Sequence, residues 1–255
     1  MADVRGAGPR LARRPGSNMG ARRASVPDGL EHEILIPIPA GNEWIGGSLT
    51  VARGHRGLVL FAHGSGSSRF SPRNRRVASG LNGAGLATFL VDLLTPAEEA
   101  ADARTALLRF DIRLLADRLL LATDRCGLDR ATGDLRVGYF GSSTGAAAAL
   151  VAAAERPETV RAVVSRGGRP DLALGALARV AAPTLLIVGG RDETVLRLNR
   201  EALSLVGCAA KRLAIVPGAT HLFEEEGALD AVARLARNFF AEHLLGLNST
   251  QKDLK

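Results

Sequence analysis

GSSTG, residues 141–145, separates two stretches of opposite character. Before it runs DLRVGYF (134–140), with β-branched and aromatic residues; after it runs AAAALVAAAERPE (146–158), rich in alanine. The first reads as a strand and the second as a helix. A strand that turns directly into a helix needs a bend too tight for most side chains. Gly141 and Gly145 let the two backbones approach, which leaves Ser143 on an exposed, strained apex. G-x-S-x-G at a strand-to-helix turn is the pattern of a nucleophile elbow, and it occurs once in the chain. Without that context the same letters are an ordinary Gly/Ser turn.

Outward from the elbow, strands and helices alternate. EILIPIP (33–39) and WIGGSLTVA (44–52) read as two strands with no helix between them, hence an antiparallel edge. GLVLFAHG (57–64) is a continuous apolar run ended by glycine, the mark of a strand buried on both faces. Ser71-Pro72 opens a helix within 72–83, since proline suits a first helical turn. ATFLVDLL (87–94) is the next strand. TALLRFDIRLLADRLLLATDRC (105–126) spaces its leucines by three and four and predicts one amphipathic helix. After the elbow come RAVVSRGG, a helix in LALGALARV, PTLLIVGG, a helix from Glu193 to about Val206, KRLAIVPGA, and a closing helix over about 225–244. The alternation predicts an α/β fold, a mostly parallel central sheet covered by helices on both faces. Only about 18 residues lie between RAVVS and PTLLI, too few for a large lid.

A length of 255 residues, 46% of them hydrophobic, suits one large domain with a sizeable core. No run of 18 uncharged apolar residues is present, so no membrane span is expected. The net charge of +7 suggests a nucleic-acid partner until it is mapped. Residues 1–27 hold six arginines against one acid, so +5 of the charge sits there and +2 remains for the rest. That segment, rich in Gly, Ala, Pro and Ser, reads as a disordered basic tail over residues 1–28 without the apolar core of a secretory signal. Organelle targeting and a nucleic-acid arm are its other readings; neither sets the function. The folded domain is expected over 29–247, with a flexible C-terminal tail over 248–255. Cys126 and Cys208 lack metal-ligand spacing and read as small buried hydrophobes in a reducing cytoplasm.

In open α/β sheets, ligands bind beyond the carboxyl ends of the strands. The polar residues there are HGSGSSR (63–69), Asp92, Ser143, Ser165 to Arg169, Asp192 in GGRDE, and His221 in GATHLF. A serine hydroxyl needs a base to take its proton, and the base needs a carboxylate to fix its tautomer. Ser143, Asp192 and His221 supply one candidate for each task, in the chain order Ser, Asp, His. Asp192 equally suits an N-cap for the helix after it, and Asp171 and Glu193 are alternative acids. His63 precedes the loop and is expected to brace it, and Asp92 to hydrogen-bond loops. A tetrahedral intermediate also needs oxyanion donors, for which the amides of Thr144 and Ser65 are the candidates, with Gly66 behind Ser65. Seven arginines (69, 73, 75, 76, 166, 169 and 191) crowd the same rim. Most read as solvated faces or ion pairs, with Arg69 the candidate to bind an anionic group of the substrate.

HGSGSSR, GSSTG, GGRDE and GATHLF together resemble an α/β-hydrolase of the dienelactone-hydrolase-like branch, over about residues 31–245. HGSGSSRFSPRNRRVA followed by FLVDLLTPAEE is similar to hydrolase domains sometimes fused to a phosphoribosyltransferase; no such second domain fits into these 255 residues. The resemblance implies a Ser143–His221–Asp192 triad that cleaves esters or thioesters without a cofactor or metal. True dienelactone hydrolases carry cysteine at the elbow, so the dienelactone substrate is not carried over. A small-molecule ester is the expected partner, with no nucleic acid and no membrane. Two rival readings stay open: an acyltransferase or perhydrolase on the same residues, and a non-catalytic scaffold that binds a ligand or partner.

Overall fold

The computed structural model describes residues 31–39 and 42–247. The expected tails at 1–28 and 248–255 lie outside them. Eight strands form one sheet: β1 (Glu31–Pro37), β2 (Trp44–Thr50), β3 (Gly57–Ala62), β4 (Leu86–Val91), β5 (Arg136–Ser142), β6 (Val160–Arg166), β7 (Thr184–Gly189) and β8 (Lys211–Val216). Their order across the sheet is β1-β2-β4-β3-β5-β6-β7-β8. β2 runs antiparallel to β1 and β4, and every other neighbouring pair is parallel. This is an α/β-hydrolase-like fold, with the antiparallel edge where the missing helix placed it.

The helices are α1 (Pro72–Asn82), α2 (Pro96–Thr105), α3 (Ile112–Gly127), α4 (Thr144–Glu155), the single turn α5 (Leu174–Leu177), α6 (Glu193–Leu205) and α7 (Ala228–Leu245). β3 shows why its sequence is continuously apolar. Leu58, Leu60 and Ala62 join the core under α3 and α4, whereas Val59 and Phe61 join the core under α1 and α7. With period two along a strand, both faces demand apolar side chains. α4 is buried all round, from Thr144 to Ala154 apart from half-buried Val151, because its alanines let it lie close to the sheet between α3 and the β6–β7 connection.

One sequence expectation fails here. The helix read as continuous from Thr105 to Cys126 begins only at Ile112: Thr105 ends a separate helix, α2, which the sequence reading leaves out, and a bend follows it. α2 starts at a reciprocal capping box: the Thr95 hydroxyl accepts from the Glu98 amide at 3.2 Å, and the Glu98 carboxylate accepts from the Thr95 amide at 2.8 Å. It stops at Ala106, whose φ is 56°. A 3-10 turn over Leu108–Phe110 follows, and Asp111 then caps α3 by accepting from the Leu114 amide at 3.0 Å. Leu107 and Leu108 in the bend keep the spacing of the α3 leucines and hide where α3 begins, and α2 has no leucine to announce it; the caps at Thr95 and Asp111 carry the signal. The β6–β7 connection holds only a 3-10 turn (Pro170–Ala173) and α5, with no room for a large lid. Among the described residues no helix is long and apolar enough to cross a membrane.

Candidate active site

Ser143 stands between β5 and α4 with φ 51° and ψ −121°. A positive φ on a residue with a Cβ costs energy and persists only where its surroundings enforce it. Two contacts enforce it here. A side chain at Gly145 would lie 2.3 Å from the carbonyl oxygens of Ala62 and His63, and one at Gly141 would lie 2.4 Å from the Ala146 Cα. Strand, loop and helix backbones are therefore locked together around the serine. Its amide donates to the Arg166 carbonyl at 3.3 Å, and its carbonyl accepts from Arg169 at 3.1 Å.

Asp192 follows β7 and His221 follows β8, on neighbouring parallel strands. The His221 Nδ1 lies 2.7 Å from Asp192 Oδ2. A carboxylate beside Nδ1 fixes the proton there and leaves Nε2 as the basic nitrogen. Asp192 Oδ1 also accepts from the Val195 amide at 3.4 Å, so the residue caps α6 and faces the histidine at once. The alternative acid Asp171 is instead engaged by Arg169 at 2.7 and 2.8 Å. Glu193 lies in the first turn of α6.

Two features of the histidine loop carry no motif and escaped sequence reading. Glu225 Oε1 accepts from the Thr220 amide at 3.0 Å and from its hydroxyl at 2.6 Å, closing the loop around His221. The Thr220 hydroxyl bond leads the contributions that hold the Glu225 carboxyl below its ordinary range. Gly167, at φ 52°, backs the histidine: a side chain there would approach the His221 carbonyl oxygen at 3.2 Å and its Cε1 at 3.5 Å. Gly167 directly follows Arg166, whose carbonyl holds the Ser143 amide, so the histidine loop rests on the segment that supports the elbow. No hydrogen bond joins Ser143 to His221 among the described residues.

The HGSG loop lies on the opposite flank. His63 Nε2 accepts from the Leu93 amide at 3.2 Å, and its Nδ1 is 3.0 Å from the Gly64 carbonyl. These partners require a neutral ring protonated on Nδ1, so His63 braces the loop, as its position suggests. The Ser65 hydroxyl lies 3.1 Å from that of Thr144, which brings the two candidate donor residues side by side. A side chain at Gly64 would sit 2.9 Å from the Ser143 Cβ, so this loop packs directly on the serine.

Arg69 is not brought to the elbow. Its guanidinium bonds Asp92 and lies 2.7 Å from Glu33, and its amide donates to Asp92 at 2.7 Å. These partners sit at β4 and β1, across β3 from Ser143. Asp92 thus ties loops together, in the structural role its position suggests. Arg73, Arg75, Arg76 and Arg169 are likewise paired, with Glu224, Glu31, Asp230 and Asp171. Arg166 differs. It is 7% exposed, and among the described residues its Nε and Nη1 have no acceptor; burial pushes its pKa down to about 10. Among the described residues no group of three or more His, Cys, Asp or Glu side chains is arranged to hold a metal ion.

The profile of the dienelactone hydrolase family matches residues 56–244, and the chain belongs to that family. It is 58% identical to the dienelactone hydrolase of Anabaena variabilis, with 85% of this chain and 99% of that chain covered and a TM-score of 0.82. Est1E of Butyrivibrio proteoclasticus, at 14% identity and a TM-score of 0.69 over 82% of this chain and 98% of its own, shares the fold. A Mycobacterium tuberculosis protein named "Putative phosphoribosyl transferase" is 54% identical over 235 residues, covering 92% of this chain and 52% of that protein. The chain thus spans about half the length of the curated relatives it matches. Residues 56–244 thus carry the family of a hydrolase on an α/β-hydrolase-like fold.

Proposed function

We propose that this hydrolase cleaves carboxylic esters or thioesters through an acyl-enzyme on Ser143. The observation that carries the reading is the strained backbone of Ser143 at φ 51°, a cost that a mere turn would relieve by substituting glycine. His221, with its Nδ1 proton held by Asp192, takes the Ser143 hydroxyl proton on Nε2 as the oxygen attacks the substrate carbonyl. The amides of Ser65 and Thr144 receive the resulting oxyanion; Thr144 is the first residue of α4, where the helix dipole adds to the effect. Collapse breaks the ester or thioester bond, and His221 returns its proton to the departing oxygen or sulfur. A water that gives its proton to His221 then attacks the acyl-enzyme and releases the acid and the serine. The partner is a small-molecule ester, and two buried free cysteines suit a reducing cytoplasm. Replacing Ser143 with alanine tests the reading: hydrolysis of p-nitrophenyl acetate falls by at least ~10³-fold. Near wild-type turnover in the purified variant would contradict it.

A further inference from the structure

A cavity of about 120 Å³ opens beside Ser65 and Thr144, walled by Leu94, Leu115, Asp102 and Arg109. Its position relative to the histidine decides which part of a substrate enters it. The cavity lies against the loop after β3 and the α2–α3 bend, on the β4 side of the elbow. His221 follows β8 on the other side of the elbow and rests on Gly167, which directly follows β6. The leaving group must stand by His221 to receive its proton. On the acyl-enzyme reading, the group left on the serine points the other way, toward this cavity, which Gly64 and Thr144 border beside Ser143.

The wall carries one organised polar device. Arg109 is clamped to Asp102: its amide and Nε donate to the carboxylate at 3.1 and 2.6 Å, and Nη2 donates to the Asp102 carbonyl at 3.0 Å. Among the described residues Nη1 has no acceptor, and it would lie 3.9 Å from a side chain at Gly66, beside the candidate oxyanion loop. The Asp102 side chain is only 5% exposed. Burial pushes its carboxyl up, but the Arg109 donors outweigh this and hold it below its ordinary range. Three of the arginine's four bonding groups thus fix its orientation and leave the Nη1 amino group, with its two N–H donors, at the cavity. A planar guanidinium held this way loses little freedom on binding a further acceptor.

We infer that Arg109 is a specificity-determining residue, its Nη1 binding a neutral oxygen on a short acyl group. This rests on the acyl-enzyme reading above. Size limits the group: about 120 Å³ is less than the ~150 Å³ that encloses benzene, so roughly five non-hydrogen atoms fit. Charge selects against an anion. Asp102 offsets the arginine, and Glu99 on the same wall leaves the cavity negative overall. The fitting class is a hydroxy- or oxo-substituted short acyl ester, rather than a plain alkyl or a carboxyl-bearing one.

The test compares kcat/KM for p-nitrophenyl 3-hydroxybutyrate, butyrate and monosuccinate. Wild type is expected to favour the hydroxy ester over butyrate by about tenfold, as for a hydrogen bond to a charged donor, and to disfavour the succinate. The charge-neutral pair Asp102→Asn/Arg109→Gln, checked for folding by its melting curve, brings the hydroxy-to-butyrate ratio close to one. Glu99→Gln, at an exposed site, raises succinate relative to butyrate several-fold and needs no change in the clamp. A wild-type ratio near one, a ratio unmoved by the folded double variant, or a wild-type preference for succinate would overturn the assignment of Arg109. Absence of hydrolysis of all three esters would overturn the esterase reading beneath it.

Discussion

Asp192 Oδ2 and His221 Nδ1 lie 2.7 Å apart, although 29 residues separate them in the chain. Parallel β7 and β8 bring their carboxyl ends together, and the N-cap geometry of Asp192 turns its second oxygen toward the histidine. Replacing Asp192 with asparagine should lower kcat by about 10³-fold or more, because the amide fixes the wrong tautomer of His221. Asp171→Asn and Glu193→Gln should each change kcat by less than about tenfold, since they would alter, respectively, a carboxylate already engaged by Arg169 and one in the first turn of α6. A larger loss from Asp171→Asn would move the acid to the β6–β7 connection.

Gly167→Ala should lower kcat more than it raises KM. The added methyl group would press on the His221 carbonyl oxygen at 3.2 Å, on a residue whose φ of 52° strains any side chain, and so shift the histidine loop without touching substrate. Steady-state kinetics on one activated ester separates the two effects. A variant with unchanged kcat would show that the histidine does not depend on this support.

Glu225 gives the histidine loop a dependence on pH. Its carboxyl is held below 4.5, its ordinary value, first by the Thr220 hydroxyl bond. A carboxyl with a lowered pKa in the folded protein stabilises the fold above its unfolded value, and the contribution is lost as pH falls through the folded value. The melting temperature of wild type should therefore exceed that of Glu225→Gln near neutrality, and the difference should close below pH 4.5. A difference that widened toward acid would reverse the sign of this account.

Arg166 is a stability liability. A buried guanidinium with two unpaired donors costs free energy that an apolar side chain would not. Arg166→Met should raise the melting temperature by about 3 °C, the shift expected of a 1 kcal/mol gain in a chain of this size. A lower melting temperature would mean that the arginine is satisfied in solution.

Much of this arrangement is legible in the sequence. Ser143, Asp192 and His221 each end a stretch whose letters announce a strand, so their positions at one edge of the sheet follow from parallel topology. The antiparallel edge followed from the absence of a helix between Pro37 and Trp44. Three things were not legible. The leucine spacing of α3 extends back into the bend and hides where α3 begins, and α2 has no leucine to give it an apolar period, so the Asp102–Arg109 clamp between them is hidden as well. Arg69 is near the HGSG loop in sequence but turns toward Glu33 and Asp92, because pairing partners and not chain proximity decide where a long charged side chain points. Glu225 and Gly167 act by closing a loop and backing a ring, which no residue pattern encodes.

Both cysteines are buried, and burial pushes the Cys126 thiol up to about 12. A thiolate is the reactive form, so these side chains should be inert in the native state. Iodoacetamide at neutral pH should leave ester hydrolysis within about twofold of its starting rate, and a rapid, complete loss would point to a cysteine in the reaction.

The central claim is that Ser143 is an activated nucleophile, and a fluorophosphonate probe tests it most directly. Serine hydroxyls do not react with such probes unless a neighbouring base removes the proton. Intact-mass analysis should show one adduct per chain, fragment mapping should place it on Ser143, and His221→Ala should slow its formation by at least ~10²-fold. An unlabelled native protein, or an adduct on a serine other than Ser143, would contradict the account.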